Sequence, residues 1–261
     1  ISLSGETLTP TVVTARFTVT NYAIRTNAWN VVQEAKAELS EAFGDRVDSA
    51  IASAAGDATS SADTTQGSLT LYGGDATADS GLADGDILTT DLVADAIRYL
   101  KDPIMYYWNS GTFTKATSTK NPWSNTPDDP FVLFIGPAQE AAFRKDSQFT
   151  NASEYGNGTV VQNGEIGMYL GVRIVVTPNV ETVASGGTAP DGGSAAGANM
   201  TRCLLMKPKK AVTLCWGLEP VIDTAPIQWR KQTSIVLESA YDIAVIHDDA
   251  IVKIDVANDE A

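Results

Sequence analysis

From Ala28 to Gly56 the chain reads AWNVVQEAKAELSEAFGDRVDSAIASAAG, and its apolar residues return every three or four positions. Trp29, Val32, Ala35, Leu39, Phe43, Val47 and Ile51 mark one face of a helix, while Glu34, Lys36, Glu38, Glu41 and Asp45 fall largely off it. Thr26 and Asn27 stand just ahead of the run as N-cap candidates. At 1.5 Å per residue the helix would be about 40 Å long. That is long for a compact enzyme domain, and it sets the frame for everything else in the sequence.

The segments around it change period. Residues 7–22, TLTPTVVTARFTVTNY, alternate from Thr11, with Val13, Ala15, Phe17 and Val19 on one face and Thr14, Arg16, Thr18 and Thr20 on the other. This is the pattern of a strand with one apolar face. Pro10 and the SGET turn predict a hairpin arm there, not a central strand. Residues 56–86 are rich in Gly, Ser, Thr, Asp and Ala around a short SLTLYGG strand, and their carboxylates Asp75, Asp79, Asp84 and Asp86 lack EF-hand spacing, so a solvated loop is expected. TTDLVADAIRYLKD then predicts a helix capped by Thr89 or Thr90, with Leu92, Val93, Ala96, Ile97 and Leu100 as its stripe, stopped at Asp102-Pro103. Phe131–Ile135 reads as a buried strand, followed by a turn at Gly136 and a helix with Pro137 at its first position. A strand pair ends at Pro178, residues 181–199 read as a flexible loop of small residues, and the remainder is strand-like.

Composition narrows the classes of function. Hydrophobic residues make up 43% of 261, the signature of a globular chain. The longest apolar runs, such as FVLFIG from Phe131, fall far short of the ~20 residues of a membrane helix, so no membrane partner is expected. No signal-type segment opens the chain, and because Ile1 is not an initiating methionine, processing or a longer chain is expected. Thirty-two acidic residues against 18 basic ones give a net charge of −14, which disfavours direct phosphate binding. The compact basic group is KPKK, Lys207 to Lys210, read as a solvated turn or an interface contact. Cys203 and Cys215 lie in apolar stretches on either side of it; they could face each other across a hairpin, but buried free thiols are the simpler expectation. Sequons occur at Asn151, Asn157 and Asn199.

Catalytic candidates are few. His247 is the only histidine, and Asp248 and Asp249 follow it. Any Ser–His–Asp or Cys–His system would have to use it. Three adjacent residues cannot all reach one metal ion without a distorted turn, and HDD between YDIAVI and AIVKIDV has the length and polarity of a hairpin turn. Glu140 with Asp146, or Glu219 with Asp223, are carboxylate pairs of a kind common on acidic surfaces. No G-x-S-x-G, H-E-x-x-H or CxxC occurs. The sequence predicts no enzyme, no cofactor and no metal site.

Four segments taken together, GDILTTDLVADAIRYLK, FVLFIGPAQEAAFRKDSQF, GEIGMYLGVRIVVTPN and YDIAVIHDDAIVKIDV, resemble the major capsid proteins of tailed viruses, with the HK97-type fold. The third is the most specific, and the likeness runs from about Thr11 onward. The resemblance implies an α+β fold with an E-loop hairpin at residues 1–25 lying over a neighbour. It implies a peripheral (P) domain at residues 26–87 built on the long spine helix, and an axial (A) domain at residues 88–217 meeting others at capsomer centres. Residues 218–261 would return to the P-domain sheet and close on a final strand. The implied function is self-assembly into hexamers and pentamers of an icosahedral shell around double-stranded DNA, in a virion assembled in the host cytoplasm. The implied partners are the chain itself, portal, scaffolding and decoration proteins, and DNA held without sequence-specific contacts.

Contacts between subunits are expected at Arg16, Phe17, Arg25, Glu34, Glu38, Lys207, Lys209 and Lys210, with Arg16 and Arg25 opposite Glu34 or Glu38 of a neighbour. The lysine used for crosslinking by the prototype has no counterpart in the arm, where the first lysine of the chain is Lys36, inside the helix. Covalent linkage by that route is not expected. Alternatives are an encapsulin-like compartment shell of the same fold, a metal-dependent hydrolase using His247, Asp248 and Asp249, and a surface adhesin suggested by the Thr/Ser/Gly loops.

Overall fold

The computed structural model describes residues 7–27, 30–58, 69–102, 104–109, 112–119, 122–145, 168–190 and 196–258. The chain divides into two compact units, one of Ile1–Ile51 and Thr213–Ala244, the other of Ala52–Val212 and Val245–Ala261.

In the first unit, β1 (Thr11–Thr20) is an edge strand, but its partner is not a local hairpin. It pairs antiparallel with β11 (Gln232–Val245) over ten residues, from Thr11 opposite Tyr241 to Thr20 opposite Gln232. On the other side of β11 lies β10 (Val212–Ile227), giving the order β1-β11-β10. Alternation told which residues of β1 share a face; the hydrogen-bonding partner, some 220 residues away, leaves no local trace.

The long helix starts later than its expected caps. Thr20 Oγ1 accepts from Ala23 N–H at 3.3 Å and starts a short helix, α1 (Asn21–Thr26). That helix takes up both cap candidates at its end: Thr26 Oγ1 donates to Tyr22 O, and Asn27 N–H to Ala23 O. Asn30 then begins α2 (Val31–Gly56), its Oδ1 accepting from Gln33 N–H at 3.4 Å. At 26 residues α2 is about 39 Å long. Ala35, Leu39, Phe43 and Val47 turn toward the sheet as the period predicts, whereas Trp29 lies outside the described residues. They meet Val13 and Ala15 of β1 and Ile235, Leu237 and Tyr241 of β11, with Phe43 and Tyr241 edge to face at 6.1 Å. Each fully buried side chain of this kind contributes roughly 1.5–3 kcal/mol.

The second unit is built on a seven-stranded mixed sheet. Its main path runs through β2 (Thr70–Tyr72), β12 (Ile251–Ala257), β9 (Met200–Met206), β5 (Val132–Ile135), β7 (Val172–Val176) and β6 (Met168–Tyr169), and β8 (Thr182–Val183) pairs with β9. α3 (Thr90–Lys101) and α4 (Pro137–Lys145) cover one face. There Val93, Ala96, Leu100 and Phe143 bury Leu133, Val172, Leu205 and Ile254. Thr89 caps α3 through Leu92 N–H, and α3 ends at Asp102, both as its sequence predicts. On the opposite face, Ala55 and Ala58 pack on Leu204, Met206 and Ile251. β3 (Ile104–Asn109) and β4 (Thr112–Thr119) form a separate antiparallel ribbon.

Several local expectations change. Part of the 181–199 loop is ordered: β8 pairs with β9, and Gly186 N–H and Ala196 N–H close a turn onto Ala196 O and Gly187 O. The small side chains that suggested flexibility let the backbone pack closely, with Ala189, Ala196 and Ala198 buried. Asp79, expected in a solvated loop, is wholly buried. Cys203 and Cys215 are free thiols on β9 and β10, which belong to different sheets and form no hairpin.

Candidate functional site

The catalytic candidates separate. His247 precedes a single 3₁₀ turn, Asp248–Ala250, between β11 and β12. Its ring lies 5.3 Å from that of Trp123, whose indole N–H donates to Asp249 O at 3.2 Å. The turn is therefore pinned as structure, although it joins two sheets instead of closing a hairpin. Among the described residues no three His, Cys, Asp or Glu side chains group to hold a metal ion. Glu140 pairs with Arg144 one turn along α4, Asp146 lies outside the described residues, and Glu219 and Asp223 are exposed on β10. Among the described residues no helix is long and apolar enough to cross a membrane.

The KPKK group also breaks up. Lys207 turns inward instead of forming a surface contact: it is 5% exposed, donates to Ser124 O at 2.6 Å and pairs with Asp129 at 3.2 Å. Pro208 starts a four-residue helical turn, α5 (Pro208–Ala211), which leaves Lys209 and Lys210 exposed, Lys209 donating to Asp128 O.

The remaining candidates lie in the first unit. Arg16 is exposed on the outer face of β1, and its Nε donates to Ser234 Oγ at 3.0 Å. Phe17 belongs to the inner face by alternation, yet it is 44% exposed. Arg25 is exposed in the last turn of α1, and Glu34 and Glu38 are exposed on α2. A groove of about 340 Å³ runs beside β1, between Val12–Ala15 and the Leu39, Phe43 and Arg46 side chains of α2. Strand β10 is a long edge with Trp216, Leu218 and Val221 exposed. Pro220 and Pro226 on this edge remove ladder donors and blunt its use as a template for further strands.

Two features escaped sequence reasoning. One is the tip joining β10 to β11, where Gln228–Arg230 makes a 3₁₀ turn and Lys231 takes a left-handed conformation at φ 51°. Trp229 stands 78% exposed with the Arg230 guanidinium stacked 4.2 Å from its ring centre. The other is a buried charge cluster in the second unit. Arg202 on β9 lies opposite Asp255 on β12 and binds it through two bonds, of 2.8 and 2.6 Å. Asp79 lies 3.9 Å from the same guanidinium. Arg202 also donates to Gly56 O, and Lys253 to Ala58 O at 3.0 Å, so two cations hold the carbonyls at the end of α2, where the helix dipole favours positive charge. Burial opposes the charge on Arg202, but its bonds to Asp255 and the fields of Asp79 and Glu181 hold its pKa above the ordinary value. Burial, with Arg202 beside it, lowers Lys253, and burial raises Glu181 against the pull of Arg202. The signal was available: Arg202, Lys253 and Asp255 are the charged residues within strands otherwise mostly apolar on both faces.

A helix packed on a three-stranded sheet with exposed aromatic and charged side chains provides contact surface. The profile of the phage capsid protein family matches residues 5–254. The chain belongs to that family. No curated protein sequence matches it. Among solved structures, the capsid of the cyanophage Pam1 superposes with a TM-score of 0.69 at 14% identity, covering 97% of this chain and 76% of the Pam1 chain. The capsid of Ralstonia phage GP4 gives 0.67 at 15% identity, covering 96% and 74%. The SrpI encapsulin of Synechococcus elongatus gives 0.54 at 11% identity, covering 97% and 75%. The fold is that of HK97-type major capsid proteins, and the phage capsids match it more closely than the encapsulin does. For a phage capsid protein the functional surface is the one that meets other subunits, and the charge cluster ties β9, β12 and the end of α2 together inside the second unit.

Proposed function

We propose that this chain is the shell-forming subunit of a tailed-virus head, assembling with itself into hexamers and pentamers of an icosahedral shell around double-stranded DNA. The family match over residues 5–254 carries the reading. The exposed apolar and charged side chains of β1, β10 and α2 support it, because a subunit that closes a shell must bury such groups against several neighbours. In this reading residues 1–25 overlie a neighbour and α2 is the spine of the P-domain of residues 26–87. Residues 88–217 form the A-domain at capsomer centres, and residues 218–261 return toward the P-domain. Arg16, Phe17, Arg25, Glu34, Glu38, Lys209 and Lys210 are the contact side chains. The net charge of −14 suits a wall that holds packaged DNA loosely, so that the DNA can be packed and ejected. Portal, scaffolding and decoration proteins complete the particle, which assembles in the host cytoplasm. Electron microscopy and sedimentation of the purified chain over a range of salt and protein concentrations test this reading. Closed shells, or hexamers and pentamers, are the expected products, and a monomer under every condition would overturn it.

A further inference from the structure

We propose that the tip of the β10–β11 hairpin is a knob that docks on the acidic face of α2 in a second copy of this chain, with Trp229 as its anchor. The proposal rests on the shell reading and names one of its contacts.

The tip is cationic and aromatic on a chain that is otherwise strongly acidic. The Arg230 guanidinium sits over the Trp229 ring and Lys231 follows, while α1 begins alongside, its Asn21 N–H donating to Lys231 O at 2.9 Å. Tyr22, 77% exposed, and Arg25 belong to this end of the sheet. Residues 17–33 and 224–237 contain Arg25, Arg230 and Lys231 and no Asp or Glu. A stacked Trp–Arg pair already holds its side chains in place, so little rotamer freedom remains to be lost on docking, and Trp and Arg are the residues that most often anchor interfaces.

The complementary surface is on α2. At 100° per residue, Glu34, Glu38, Glu41, Asp45 and Asp48 fall within an arc of about 80°, opposite the buried stripe, and form a ridge about 21 Å long. All five are exposed. Spaced three and four residues apart, they repel one another within the helix. Lys36 lies about 120° and Arg46 about 80° from the nearest edge of the ridge, so both cations stand off its face. Ala37 and Gly44 lie on one flank; both are exposed, and nothing stands within 4 Å of where a Gly44 Cβ would be, which leaves a shallow bed for a ring.

The charges decide the geometry of the contact. Tip against tip would bring like charges together, whereas tip against ridge sets three cations against carboxylates and removes the repulsion along the helix. Such a contact is heterologous, using different surfaces on the two copies, and contacts of this kind propagate into rings and shells.

Charge exchange in the full chain tests it, with the concentration at which assembly begins read by light scattering and the particles checked by electron microscopy. R230E/K231E is expected to raise that concentration about ten-fold or more, and E38K/E41K/D45K to do the same. The two sets combined in one chain should return it to within about three-fold of the original, because the pairing is restored with its signs exchanged. Trp229→Ala should weaken assembly while leaving the thermal unfolding of the unassembled chain in place, since its ring is mostly in water. Unchanged assembly by R230E/K231E or by Trp229→Ala, or no rescue in the combined variant, would overturn the tip contact. Failure of the original chain to assemble at all would instead sink the shell reading beneath it.

Discussion

At the scale of single residues, Arg202 is the most exacting position. Its guanidinium satisfies both oxygens of Asp255 inside the second unit, at 2% exposure. Replacing it with Met leaves a buried carboxylate without its cation, which costs roughly 3–5 kcal/mol. Arg202→Met is therefore expected to lower the urea midpoint sharply, and Arg202→Met with Asp255→Leu to recover part of the loss, because Asp79 still loses the guanidinium beside it. If the single variant unfolds at the original midpoint, the pair is not what holds β9 to β12. Glu181 is a milder case with a definite sign. Burial raises its pKa above 4.5, so the folded chain binds this proton more tightly than the unfolded one. The stability it contributes is present below pH 4.5 and is lost as pH rises through the folded value. Glu181→Gln should match the original chain in acid, exceed it at neutral pH and flatten that part of the pH–stability curve, as thermal melts across pH would read.

At the scale of elements, the turn between β6 and β7 holds Leu170 at φ 49° and Gly171 at φ 80°. A two-residue hairpin turn of this kind favours Asn or Asp followed by Gly, and a Leu in the left-handed region costs about 1–2 kcal/mol. Leu170→Asn should thus raise the melting temperature of the unassembled chain. On α2, Glu38 sits one turn from both Glu34 and Glu41, so Glu38→Lys exchanges two repulsions for attractions worth a few tenths of a kcal/mol each, ~0.2–0.5. The unassembled chain should become slightly more stable while assembly weakens, and a ridge residue with no outside partner would give only the first effect. This scale also marks what the sequence could tell. The face of α2, the stripe of α3, the Phe131–Ile135 strand with its Gly-Pro helix start, and the turn at His247 all follow from period and capping, which are properties of neighbouring residues. The pairing of β1 with β11 and of β12 with β9 and β2, and the meeting of Arg202 with Asp255, are set by which strands close a sheet, and no local pattern records that. Trp229 is hidden for a related reason: in the linear sequence QWRK continues a strand-like stretch, and only the hairpin turns it into a tip.

At the scale of the whole molecule, every copy carries a net charge of −14, so bringing copies together opposes long-range repulsion even where their surfaces match. Salt acts on the two terms over different ranges. With a Debye length near 30 Å at 0.01 M, the repulsion extends between subunits, and at about 8 Å, near 0.15 M, most of it is gone while charges in contact still attract. By 1 M the screening length is about 3 Å, and ion pairs at a partly wet contact are themselves weakened. Assembly should therefore rise from low to moderate salt and fall again toward molar salt. In R230E/K231E two of the three cations become carboxylates and only Arg25 remains, so the rising limb should remain and the falling limb shrink to little or nothing. Sedimentation velocity across the salt series separates the cases. A monotonic rise in the original chain would mean that apolar burial along β1 and β10 carries the contacts, and that the charges on the tip and ridge do no more than keep the unassembled chain apart from its copies.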